Sequence, residues 1–223
     1  MRHLCGMFAI ILAGVLVLTG CTREVAGLAQ RDPTKPGVAL SEDGYGIVTG
    51  FPDAAARVDF FTEPQCEHCA ALQSEYGDDI AEHIEAGRLA VTYRPVTFLD
   101  FESFGYSARV SNALFLAVDP ATSAAAFQQF VQELYRNQDP LSDGPDDDEI
   151  ADMARDSGIP AAIVERIGSG RIGVDVAEMA DANYDSLIDA DSGYPGTPTI
   201  YDLESDEVVD IYESDWLDDL VEG

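Results

Sequence analysis

The chain has 223 residues, 46% of them hydrophobic, which gives the length and apolar content of one generous domain or of a domain with an insertion. A collagen-like, coiled-coil or wholly disordered chain does not fit. Against 42 Asp and Glu stand 12 Lys and Arg, a formal net charge of -30, and such a surface repels phosphate, so no nucleic-acid partner is expected.

The amino terminus carries Arg2 and His3, an apolar run from Met7 to Leu18, and then Leu18-Thr19-Gly20-Cys21. These are the basic, apolar and small-residue parts of a secretory signal. The apolar run is shorter than the ~20 residues needed to span a bilayer. Leu18-Thr19-Gly20-Cys21 resembles the lipobox of bacterial lipoproteins, which implies a lipoprotein signal peptide over 1–20 and a lipid on the Cys21 sulfur. Two acyl chains hold a protein stably at a membrane where one does not. An ordinary signal peptide that happens to contain Cys21 is the plainer alternative, and either predicts export. Thr22 to Gly46 is poor in large apolar residues and holds Pro33 and Pro36, so a flexible tether is expected over 21–45. Lys35, the one lysine of the chain, lies there. A lysine-poor, acid-rich composition fits adaptation to salt or to a high-GC genome.

Val58-Asp59-Phe60-Phe61 is a compact strand candidate, and Thr62-Glu63-Pro64-Gln65 interrupts it with a proline just before Cys66. Leu72, Tyr76, Ile80 and Ile84 then recur every four residues. This spacing predicts a helix from about Cys66 to Ala86, ending near Gly87. Cys66 thus falls near a helix amino terminus, where unpaired backbone N–H groups favour the thiolate.

The four cysteines are Cys5, Cys21, Cys66 and Cys69. With Cys5 lost in the signal and Cys21 lipidated, Cys66 and Cys69 remain as thiols. A disulfide between them closes too small a loop to constrain the unfolded chain, so redox exchange in an oxidising compartment explains the pair better than a staple does. Zinc wants four ligands, and His68, held inside the turn, is badly placed to join its neighbours with His83, so no metal site is expected. Haem attachment needs His after the second cysteine, where Ala70 stands. In this reading Cys66 is the reacting sulfur and Cys69 the resolving thiol. His68, if turned toward Cys66, would stabilise the thiolate, whereas Glu63 and Glu67 would raise its pKa, with Glu67 as the tuning residue. Asp59 and Glu63 are open between proton acceptors for Cys69 and solvated acids.

Leu89 to Val96 predicts a second buried strand. A helical stretch follows, in which Tyr106, Val110, Ala113 and Ala117 form a weak stripe and Phe127, Phe130, Val131, Leu134 and Tyr135 a strong one. Asp139 to Asp148 reads as a loop, and its acids open a helix from about Asp146 to Asp156. Gly158 stops that helix and Pro160 starts the next. Ala177, Ala180, Tyr184 and Leu187 mark the last helix of this block. Thr199 to Leu203 and Val208 to Tyr212 predict a hairpin, and Trp216, Leu217 and Leu220 a terminal helix.

Phe60-Phe61 followed by Cys66-Glu67-His68-Cys69, and later Gly196-Thr197-Pro198-Thr199 leading into a strand, resembles the thioredoxin superfamily and within it the DsbA-like proteins. The resemblance implies an α/β thioredoxin fold with an inserted helical subdomain: a thioredoxin-like domain over 46–99 and 192–223, and the helical insertion over 100–191. It also implies a cis bond at Thr197-Pro198, with the Thr197 backbone pairing with substrate. Glu67 departs from the family pattern, which usually has proline there.

The expected function is a membrane-tethered, extracytoplasmic thiol-disulfide oxidoreductase that oxidises exported proteins through the Cys66-Cys69 disulfide. No other cofactor is implied. The expected partners are exported proteins with cysteines, an unknown membrane electron-transfer partner and the membrane itself, and the chain is expected to be a monomer. A reductase or isomerase of the same fold, or a non-catalytic lipoprotein that binds a partner or a metal, are the competing readings.

Overall fold

The computed structural model describes residues 32–100 and 105–222. The expected signal peptide and the expected lipidation site Cys21 lie outside the described residues.

A βαβ unit forms the centre of the fold. Strand β3 (Ala56–Thr62) leads into α1 (Glu67–Glu85), which returns the chain to β4 (Leu89–Pro95). The two strands run parallel, with Phe60 opposite Tyr93 and Thr62 opposite Pro95. A crossover helix is the normal solution for parallel neighbours. On one edge, β1 (Gly37–Leu40) and β2 (Ile47–Gly50) form a hairpin that pairs with β4 through β2. On the other, β5 (Thr199–Asp202) and β6 (Glu207–Val208) extend the sheet from β3. The order is β1-β2-β4-β3-β5-β6.

Among the described residues five α-helices stand between β4 and β5 in the chain: α2 (Tyr106–Leu116), α3 (Ala124–Arg136), α4 (Asp147–Asp156), α5 (Ala161–Gly168) and α6 (Val176–Ala190). Helix α7 (Trp216–Glu222) follows the hairpin and returns to α1, where Trp216 and Tyr76 meet edge to face at 5.2 Å. The thioredoxin fold with a helical insertion is therefore what this chain adopts.

The two faces of the sheet are chemically different. On the α1 and α3 side, Phe60, Tyr93 and Phe127 stack through ring contacts of 5.5 and 6.0 Å in the buried core. Period-two alternation puts their neighbours Asp59 and Arg94 on the opposite face. There Arg94 Nε donates to Asp59 Oδ2 at 2.6 Å, and its Nη1 reaches Asp43 at 2.8 Å and Asn183 of α6 at 3.3 Å. Asn183 Nδ2 in turn donates to the carbonyls of Tyr45 and Pro95. One guanidinium and one amide thus fasten the β1–β2 turn and α6 to the sheet.

Two boundaries and one buried face differ from the sequence reading. The expected tether over 21–45 gives way to β1, because Val38 is buried and Gly37 to Leu40 pair with β2. The second strand of the terminal hairpin stops at Val208 rather than Tyr212, since the ladder with β5 holds Glu207 and Val208, Val209 adds one last bond to the Ile200 carbonyl at 2.9 Å, and Tyr212 is in solvent. In α6 the helix is where expected but the buried face is Met179, Asn183 and Leu187. Ala177 and Tyr184 point outward.

Candidate functional site

Strand β3 ends at Thr62, whose carbonyl accepts from Val96 N at 2.8 Å, and the chain then turns through Glu63, Pro64 and Gln65 into α1. Cys66 is the N-cap of α1, in an extended conformation and with no side-chain cap of its own, so its sulfur faces the free N–H groups of the first turn. Cys69 lies one turn deeper and is buried, whereas Cys66 is partly exposed; both are free thiols. The Thr197–Pro198 peptide is cis, and Cys66 Sγ–H donates to the Thr197 carbonyl at 3.2 Å. Cys66, Cys69, Thr197 and Pro198 are thus brought to one place from a helix start and a loop 131 residues apart.

The two sulfurs are electrostatically unlike. A hydrogen bond from the Cys69 thiol holds the Cys66 pKa down to about 5, against the upward push of burial. The Thr197 side chain and the backbone N–H groups of Cys69 and His68 add to the lowering. Burial pushes Cys69 well above the usual thiol range, and the negative charge of Cys66 reinforces it. At neutral pH one sulfur is a thiolate and the other a thiol, which is the asymmetry that ordered exchange requires.

His68 and Glu67 are exposed at the start of α1. The contribution of His68 to the thiolate comes through its backbone N–H. Asp59, on the far face of the sheet, is engaged by Arg94. Glu63 is fully buried instead, and burial raises its pKa to about 7. Ser107 Oγ–H donates to one of its carboxyl oxygens and the Gln65 backbone N–H to the other, at 2.7 Å. Gln65 Nε2 donates to Ser107 Oγ at 2.9 Å and to Asp100 Oδ1 at 3.1 Å, and Asp100 accepts from the first N–H groups of α2 at Ser107 and Ala108.

A second clamp comes from the loop after α3. Gln138 Nε2 donates to the carbonyls of Pro64 at 2.7 Å and Cys66 at 3.1 Å. Sequence reasoning did not find Gln65, Asp100, Ser107 or Gln138. Their amide, carboxyl and hydroxyl groups follow no periodic pattern and meet only when the insertion folds back over the turn that carries Cys66. Among the described residues no group of three or more His, Cys, Asp or Glu side chains is arranged to hold a metal ion.

The family model described as Thioredoxin matches residues 42–201. Among solved structures, the thiol-disulfide oxidoreductase MdbA from Corynebacterium diphtheriae is 23% identical with a TM-score of 0.68, over 82% of this chain and 93% of that one. MdbA from Corynebacterium matruchotii is 22% identical, also with a TM-score of 0.68, over 78% and 86%. DsbA from Chlamydia trachomatis is 20% identical with a TM-score of 0.60, over 78% and 89%. At these identities the likeness is one of fold. The serine/threonine-protein kinase PknE of Mycobacterium tuberculosis is 26% identical over 181 residues, a match that covers 79% of this chain and 31% of the kinase. The chain therefore spans about a third of the length of the curated relatives it matches.

Proposed function

The chain belongs to the thioredoxin family, and from the unlike thiols at its strand-to-helix junction we propose that it is a thiol-disulfide oxidoreductase that oxidises cysteines of exported proteins. The carrying observation is the depressed pKa of Cys66 beside a buried Cys69. A stabilised thiolate stabilises the reduced enzyme, and so makes its disulfide the stronger oxidant; each ~30 mV corresponds to about 1.4 kcal/mol. That favours the oxidase over the reductase and isomerase readings.

In the reaction a substrate thiolate attacks Cys66 Sγ of the Cys66–Cys69 disulfide. The enzyme S–S bond breaks, its electron pair passes to Cys69 Sγ, and Cys69 takes up a proton. Glu63 is the group we assign to exchange that proton, because its carboxyl is buried in the redox turn and titrates near neutrality. A second substrate thiolate then attacks the substrate sulfur of the mixed disulfide, and Cys66 leaves as the thiolate that its surroundings stabilise. The substrate has lost two electrons and the enzyme holds them as the Cys66 thiolate and the Cys69 thiol, to be passed to a membrane electron-transfer partner. Thr197, its carbonyl facing Cys66, is the backbone that pairs with the extended substrate segment. A lipid on Cys21 keeps the reaction at the outer side of the membrane.

Equilibration with glutathione tests the reading. A strongly oxidising potential is expected in the wild type, with Cys66→Ser inactive and Cys69→Ser arrested as a mixed disulfide. Unchanged oxidation of reduced ribonuclease by Cys66→Ser would remove the proposal, and a potential near that of thioredoxin would reverse its direction.

A further inference from the structure

Helix α6 turns Met179, Asn183 and Leu187 into the molecule, and the same periodicity leaves Tyr184 and Ile188 facing out, 42% and 37% exposed. Phe98, 41% exposed, meets Tyr184 edge to face with ring centroids 6.4 Å apart. These three side chains form an apolar ledge. Asp181, Asp185 and Asp189 stand along the same exposed helix at four-residue intervals, so the ledge is edged by a row of carboxylates.

Both segments that carry the ledge run into the redox turn. Phe98 lies between Val96, whose N–H binds the Thr62 carbonyl, and Asp100, whose carboxylate holds Gln65 next to Cys66. Ile188 is nine residues before Thr197, which limits their separation to about 30 Å even for a fully extended chain. The Phe98 end of the ledge thus belongs to the segment that binds the turn before Cys66, and the Ile188 end lies no more than about nine extended residues from Thr197, so a polypeptide on the ledge can lead into the site.

The charge selects the occupant. A second copy of this chain brings another net charge of -30, and an anionic lipid surface is repelled in the same way. A stretch of unfolded polypeptide with aromatic or aliphatic side chains between Arg or Lys residues gains on both counts, through area removed from water and through its charge. We propose that the Phe98–Tyr184–Ile188 ledge is a docking surface for extended, cationic and apolar segments that flank the reacting cysteine of the substrate. The inference rests on the oxidoreductase reading and names its substrate class.

The test compares two nine-residue peptides with a central cysteine, one flanked by Phe and Arg and one by Ser and Asp, as reductants of the oxidised full chain, with glutathione as a probe too small to use the ledge. The Phe/Arg peptide is expected to react about tenfold faster than the Ser/Asp peptide at low salt. The double variant Phe98→Ser/Tyr184→Ser should bring its rate down to that of the Ser/Asp peptide and leave the glutathione rate unchanged. The triple variant Asp181→Asn/Asp185→Asn/Asp189→Asn should halve the advantage or more and remove its salt dependence. Equal rates for the two peptides in the wild type, or an equal loss of glutathione reactivity in the double variant, overturn the ledge alone. So does wild-type self-association in sedimentation, or binding to anionic phosphatidylglycerol vesicles, that the double variant abolishes. Failure of glutathione itself to exchange with the wild type overturns the oxidoreductase reading first, and the ledge with it.

Discussion

Cys66 owes its acidity to donors rather than to a neighbouring cation, and each donor can be removed separately. A hydrogen bond to a charged group is worth about 1.5–3 kcal/mol, and one pKa unit is about 1.4 kcal/mol, so Thr197→Ala is expected to raise the Cys66 pKa by about one unit from its value of about 5. Thiolate absorbance followed against pH reads this directly, and an unmoved midpoint would take Thr197 out of the account. The folded pKa lies below the unfolded value of ~8.5, so the reduced protein gains stability over the oxidised one as pH rises through about 5, in full above ~8.5. Glu63 carries the opposite sign. Its pKa is raised to about 7, so its contribution to stability is present below the unfolded value of ~4.3 and is lost as pH climbs through 7. The difference in urea midpoint between wild type and Glu63→Gln should therefore fall from pH 4.5 to pH 7.5. A pH-independent difference would place the charge elsewhere. Asp100, Cys66, Cys69, Tyr106 and Tyr135 surround this carboxyl. Cys69, Tyr106 and Tyr135 are raised out of that window, and because Cys66, at about 5, titrates inside it, both proteins are compared with the Cys66–Cys69 disulfide closed.

At the level of elements, the insertion acts as a brace for the turn that carries Cys66. Its grip depends on the loop between α3 and α4, where Arg109 Nε donates to the Pro145 carbonyl and Tyr106 OH accepts from Asp139 N. Gly144 closes that loop at φ +75°, and a Cβ there would stand 2.3 Å from the Tyr106 ring. Gly44 has φ +81° with nothing within 4 Å, so alanine at Gly44 bears only the left-handed backbone cost of about 1–2 kcal/mol. Gly144→Ala adds overpacking and should be worse by a further 1–3 kcal/mol in chemical denaturation; equal losses at the two sites would show that the loop does not press on α2. The periodic elements were legible in the sequence. Phe127, Phe130, Val131 and Leu134 marked α3 because their 3.6-residue stripe is buried as read, and Cys66 and Cys69 fall where read, at the start of α1. The hairpin strand β1 was hidden because four residues with one deeply buried valine look like linker until a partner strand exists. The outward face of α6 was misread because Tyr184 is apolar enough to pass for core, while the residue that faces inward is Asn183, an amide that succeeds there only by binding the Tyr45 and Pro95 carbonyls.

The whole molecule carries its charge as a diffuse cost. With 42 acids against 12 Lys and Arg, compaction works against self-repulsion, which salt screens over a Debye length of about 10 Å at 0.1 M. The Tm is expected to rise by several degrees between 0.05 and 1 M sodium chloride, and differential scanning fluorimetry measures it. A flat or falling Tm would mean that local pairs such as Arg57–Glu204 outweigh the global repulsion.

The direction of β1 fixes how the molecule hangs. Since β1 pairs antiparallel with β2, and β2 antiparallel with β4, Gly37 sits beside the end of the sheet where β3 begins at Ala56, and Leu40 toward the end where β3 delivers the chain to Cys66. Whatever grips the polypeptide ahead of Gly37 consequently pulls on the pole remote from the sulfurs. With the proposed lipid on Cys21, the Cys66 end of the sheet would be the one turned away from the anchored end.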